Sequence, residues 1–198
     1  MVKKVILILS LALVTLALSG GFLFKGAFAS APVSTGGKNA AHRFHSTGSG
    51  TEMSLSPVTT PACQNQPAPS GCTVQTNGTA TTTISGLTFG TGPYMSVITV
   101  FWSENTSNGQ GGFCAPASGP SQLVASNGDS LNLLNYGTVC EVGPTGNFIP
   151  HTFNGKFLII GGTGAYQHAS GSGTIKSSDD GFGHSTYTAS GTINVGKH

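Results

Sequence analysis

The chain reads as a single all-β domain, a barrel or a sandwich of antiparallel strands, carried behind an export signal. Three observations predict this. Of its 198 residues, 30 are glycine, 23 serine and 24 threonine, whereas only 7% are charged. Coiled coils, helical bundles and charged disordered tails need far more Glu, Lys, Arg, Ala or Leu, and an ordinary soluble domain has about 25% charged residues. Apolar and polar residues alternate with period two in several stretches, which sends successive side chains to opposite faces of a strand. Turn signals recur between these stretches at regular spacing, with no helical pattern between them.

Met1 to Lys4 carry two lysines, and the apolar run Val5 to Leu18 ends at Ser19-Gly20-Gly21. A positive start, a short apolar core and the small-residue triplet Ala27-Phe28-Ala29 have the form of a secretory signal, with cleavage expected after Ala29. An uncleaved anchor is the competing reading, and the run falls short of the roughly 20 residues that a spanning helix needs. Removing residues 1–29 takes away Lys3, Lys4 and Lys25 and turns the formal charge from +2 to −1. The mature chain thus has no electrostatic footprint for nucleic acid or anionic lipid, and its expected location is extracellular or in the cell envelope.

Residues 30–50 contain Gly36-Gly37, His42, His45 and Ser49-Gly50 with hardly a bulky apolar side chain, so they are expected to form a flexible leader. The domain proper is placed at 51–198. All four cysteines, Cys63, Cys72, Cys114 and Cys140, lie in the exported part, where an even count reads as two disulfides. Three pairings are possible. The favoured one joins Cys63 to Cys72 and Cys114 to Cys140, because each pair then restrains a Pro- or Gly-rich loop. The spacings lack the C-x2-C form of a zinc site, and no metal or cofactor is expected.

Val74 to Leu87 supplies strand material. Met95 to Ser103 is apolar on both faces, with Met95, Val97 and Phe101 opposite Ile98, Val100 and Trp102, and is expected to be covered on both sides by a loop or another subunit. Asn127-Gly128 predicts a type I′ hairpin turn between Leu123 to Ser126 and Ser130 to Tyr136. Phe153, Phe157 and Ile159 alternate with Thr152, Asn154 and Lys156. Ala169 to Ser177 adds a further strand. Tyr187, Ala189, Gly191, Ile193 and Val195 alternate with Thr186, Thr188, Ser190, Thr192 and Asn194.

Leu158-Ile159-Ile160-Gly161-Gly162-Thr163-Gly164 has the look of a dinucleotide-binding turn, but Gln167 stands where a third glycine belongs and Ala169 to Gly173 is hostile to the required helix. Read as strand, glycine turn and strand, Phe153 to Thr174 resembles the GGTG-x-aromatic-x-x-A-x-G segment of the dirigent and allene oxide cyclase barrel superfamily, and its secreted bacterial members most. Asn127-Gly128-Asp129-Ser130-Leu131 followed by Gly137-Thr138-Val139-Cys140 is similar to a recurring pattern of those bacterial chains. The resemblance covers roughly residues 120–195. It implies an eight-stranded antiparallel barrel, often trimeric, around an apolar cavity, and in plant relatives the guiding or cyclisation of hydrophobic molecules.

Acid–base chemistry needs converging titratable groups, and the mature chain offers Glu52, Glu104, Asp129, Glu141, Asp179 and Asp180 as acids. Glu104 is the weak catalytic candidate, since it ends the apolar strand carrying Trp102 at what should be a barrel mouth. Asp129, Asp179 and Asp180 read as solvated turn carboxylates, and His151, His168 and His184 as scattered surface histidines. No G-x-S-x-G sequence supports a hydrolase. The expected function is therefore binding of a small apolar molecule, with Trp102, Glu104, Tyr94 and Tyr136 as candidate ligand-binding residues. A dirigent-like isomerase or cyclase and a cell-envelope interaction module are the alternatives.

Overall fold

The computed structural model of the chain describes residues 41–54, 72–143 and 149–196. Strands β1 (His42–Ser54), β2 (Cys72–Ile84), β3 (Leu87–Val100), β5 (Phe113–Val124), β6 (Ser130–Glu141), β7 (His151–Gly162), β8 (Ser170–Asp179) and β9 (His184–Asn194) follow one another around a ring. Every neighbouring pair is antiparallel, and pairing of β3 with β5 and of β1 with β9 leaves the ring without a free edge. The protein is thus a closed, eight-stranded, up-and-down β-barrel. A two-residue strand β4 (Thr106–Ser107) only annexes itself to β5, and single 3-10 turns occur at Trp102–Glu104 and Gly164–Tyr166.

Closure explains why so polar a sequence folds. Each strand turns one face to the lumen and the other to water, so half of its residues need only be soluble and β-compatible, which Thr and Ser are. In β9 the lumen face carries Tyr187, Ala189 and Ile193, all buried, and in β7 it carries Phe153, Phe157 and Ile159. Phe44 and Phe157 meet at the centre with ring centroids 5.3 Å apart. Burying each such ring stabilises by about 2–3 kcal/mol. Phe157 fits because the facing positions are glycines: a Cβ on Gly173 would stand 2.6 Å from Phe157 Cζ.

The expected leader fails at its second half. Residues 42–50 belong to β1, which pairs with β2 on one side and β9 on the other and completes the ring. Its lumen side is built from Phe44, Ser46, Gly48 and Gly50, small where Tyr187 needs room, since a Cβ on Gly48 would collide with that ring. The strand is therefore specified by size complementarity rather than by hydropathy. The expected signal at 1–29 and residues 30–40 of the leader lie outside the described residues.

The Asn127-Gly128 hairpin forms between β5 and β6, though not as a two-residue type I′ turn. Gly128 N–H donates to the Ala125 carbonyl at 3.0 Å and Ala125 N–H to the Asp129 carbonyl at 2.7 Å, leaving a three-residue loop with Gly128 at φ +91°. Only glycine takes that left-handed position freely. Cys114 and Cys140 face each other across β5 and β6 and form a disulfide. Cys72 is also disulfide-bonded, and Cys63, its expected partner, lies outside the described residues. The outer face of the doubly apolar strand stays open in the single chain, with Met95 and Phe101 exposed.

Candidate functional site

The two ends of the barrel differ. At the end where β5 turns into β6, the lumen is filled by Phe44, Phe89, Leu123, Leu131, Ile159 and Ile193, all buried. The 3-10 turn Gly164–Tyr166 plugs it: Tyr166 lies against Phe89 at 5.2 Å between ring centroids, and its hydroxyl donates to the Thr88 carbonyl at 3.0 Å. At the other end no described residue fills the lumen. A cavity of about 860 Å³, counting its mouth, runs inward between apolar walls made by Val74, Ile98, Val100, Val139, Phe153 and Ile175.

Its floor is a polar belt. The rings of Tyr94 and Tyr187 pack 4.6 Å apart. The Tyr187 hydroxyl bonds Ser46 Oγ at 2.8 Å, which in turn bonds Thr82 Oγ1 at 2.8 Å. On the opposite side Asn135 Nδ2 donates to Ser121 Oγ, and Ser121 Oγ donates to Ser96 Oγ at 2.9 Å. Burial outweighs these bonds and pushes the Tyr94 hydroxyl up to about 12, and it raises Tyr187 as well, so both phenols stay protonated donors.

The mouth holds the charge. His151 Nδ1, on β7, stands 3.1 Å from Asp179 Oδ2, on β8, and both side chains are largely covered. Trp102, carried past the end of β3 by its 3-10 turn, sits with its ring centroid 6.2 Å from that of His151. Glu52, on β1, lines the cavity beside them. Burial first, and then the Asp179 carboxylate, push its carboxyl up to about 7, against a Ser185 hydrogen bond and the His151 charge that work the other way. Among the described residues two buried polar atoms lack a hydrogen-bond partner, Trp102 Nε1 and Asn135 Oδ1, and both residues line this cavity.

Of the residues singled out from the sequence, Tyr94 and Trp102 line the cavity and Glu104 and Tyr136 do not. β3 ends at Val100, and Trp102 keeps the lumen parity of Tyr94, Ser96, Ile98 and Val100, whereas the 3-10 turn that begins at it breaks the phase before Glu104, which is exposed. Tyr136 shares the outer face of β6 with Leu134 and is 37% exposed. Asp179 and His151, read as a solvated turn carboxylate and a surface histidine, are instead partners at the mouth. Asp180 keeps its turn role. It accepts backbone N–H bonds from His184 and Phe182, which hold its carboxyl below the usual range. No cluster of three or more metal-binding side chains occurs among the described residues.

The cavity-lining carboxylate to which the sequence assigned no role is Glu52. Its signal was phase: Phe44, Ser46, Gly48, Gly50 and Glu52 share one parity, so the phenylalanine that must be inside takes the glutamate with it. No known protein family model matches this chain, and no curated protein sequence matches it significantly.

Proposed function

We propose that this is a secreted barrel protein that holds a small, largely apolar molecule in the open half of its lumen. One observation carries the reading: among the described residues the same barrel is packed solid at one end and left unfilled at the other, with apolar walls above a belt of hydroxyl and amide groups. Ligand sites have this composition, mostly apolar with a few placed polar groups. The likeness of residues 153–174 to dirigent and allene oxide cyclase barrels supports it at the level of architecture. A trimer, as that likeness implies, would cover Met95 and Phe101, and native mass spectrometry reports the subunit number.

Trp102 is the only tryptophan in the chain, so its fluorescence reports the mouth alone. Titration with a neutral apolar probe such as N-phenyl-1-naphthylamine should quench Trp102 saturably, and Val74→Phe, which fills the cavity, should abolish the effect. Quenching that never saturates, or that survives the substitution, counts against the cup.

A second reading is an isomerase or cyclase that moves a proton on a hydrophobic substrate. It is favoured by Glu52, whose affinity for a proton is matched to neutral pH and which stands beside the His151–Asp179 pair. Glu52→Gln would then abolish turnover while probe binding persists.

A further inference from the structure

We propose that the cup selects ligands that join an apolar body to a protonated amine, and that Glu52 is the group that selects them. The inference rests on the cup being a binding site and adds the chemistry of what it takes.

The first argument is the sign of the charges that face the lumen. Glu52 enters from β1, Asp179 from β8 and His151 from β7, and among the described residues no lysine or arginine lines the cavity. Arg43, Lys156 and Lys176 are the basic side chains of the described strands, and all three are exposed on the outer face. His151 is already engaged by Asp179 at 3.1 Å. The pull of His151 on Glu52 is outweighed by burial and by the Asp179 carboxylate, so the negative charge of Glu52 is incompletely compensated. The groups around it from β9 and β2, Ser185 and Thr76, are uncharged, and Asp180 on the following turn adds only further negative potential. An anionic ligand would add to the negative potential of Glu52 and Asp179 in a poorly hydrated mouth. A cation would relieve the repulsion between Glu52 and Asp179.

The second argument is independent of charge. Asn135 is 1% exposed, lines the cavity and has an acceptor oxygen with no donor. Its amide nitrogen donates to Ser121, whose own proton goes to Ser96, and in this arrangement the oxygen has no donor. A buried acceptor left unpaired costs about 1–3 kcal/mol, which a ligand bearing N–H or O–H groups recovers. The third is the wall: Tyr94, Tyr187, Trp102 and Phe153 all border the cavity, and aromatic faces attract ammonium groups. Donors, positive charge and an apolar body together describe an amphiphilic amine and exclude a fatty acid.

Three probes with one body separate this claim from the one beneath it: 4-phenylbutan-1-amine, 4-phenylbutan-1-ol and 4-phenylbutanoate, each titrated against Trp102 fluorescence on the mature protein. At pH 8 the amine should bind at least tenfold tighter than the alcohol, and the carboxylate at least tenfold weaker. The amine's advantage should shrink at pH 6, where Glu52 is protonated, and amine binding near neutral pH should release a proton to the buffer. Glu52→Gln should bring the amine down to the alcohol's affinity, with alcohol binding serving as the check that the cup is intact. If that variant does not fold, the pH 6 against pH 8 comparison on the unaltered protein decides. An amine that binds no better than the alcohol, or a carboxylate that binds best, overturns the amine proposal and leaves the binding cup standing. Binding of none of the three overturns both.

Discussion

His151 and Asp179, on adjacent strands, are joined twice: Asp179 Oδ2 lies 3.1 Å from His151 Nδ1 and also accepts the His151 backbone N–H at 3.2 Å. The carboxylate is thereby pinned at the mouth, where its field reaches Glu52. Asp179→Asn keeps the shape and removes the charge, which is the second-largest cause of the raised Glu52 carboxyl. The Glu52 midpoint, followed by carboxyl-carbon NMR, should fall from about 7 towards the usual carboxylate range. A midpoint that does not move would show that burial alone raises it.

Glu52 also makes stability depend on pH. Its carboxyl goes from an ordinary value near 4.5 in the unfolded chain to about 7 when folded, so the folded state binds the proton more tightly. Stability contributed by this group is full below about pH 4.5 and is lost as pH rises through 7, by up to about 3 kcal/mol. Urea unfolding at pH 5 and pH 8 should show the unaltered protein losing more stability over that interval than Glu52→Gln. Equal losses would contradict the assignment.

Gly173→Ala tests the packing at the barrel centre. The added methyl would press on Phe157 Cζ and on the Ser190 carbonyl, neither of which has room to retreat. Overpacking of this kind costs about 1–3 kcal/mol, read as a lower urea midpoint with an unchanged slope.

The Cys114–Cys140 disulfide closes a loop across two paired strands. Replacing both cysteines by alanine should lower stability by about 3 kcal/mol, following loop-closure entropy. Because β5 and β6 remain paired along their length, the circular-dichroism spectrum should stay that of a β protein.

Much of this architecture was legible in the sequence. The alternation in β7 and β9 places Phe153, Phe157, Tyr187 and Ile193 inside, and that parity alone makes the neighbouring Ser and Thr residues an outer face. β1 escaped because hydropathy is the wrong measure where a strand must be small: Ser46 and Gly48 lie against Tyr187, and Gly50 against Thr76 and Asn77. The site was only half legible for the same reason. Phase carries a residue inward without regard to its charge, so Glu52, His151 and Asp179 reach the lumen as polar members of apolar parities. Phase is also lost where a strand ends, and Glu104 sits two residues too late, in a turn that points it to solvent. In β6 both parities carry leucine, Leu133 inside and Leu134 outside, so nothing in the pattern separates Asn135, which is buried, from Tyr136, which is not.

The account turns on the open half of the lumen being the place where a ligand sits. Side-chain NMR of the protein, recorded with and without a saturating neutral apolar probe, tests this directly. The predicted result is that resonances of Tyr94, Tyr187, Asn135 and Trp102 shift together with one dissociation constant, while those of Phe89 and Tyr166 at the plugged end stay in place. Shifts confined to the outer face around Leu134, Leu158 and Ile160, or no saturable shift at all, would contradict it.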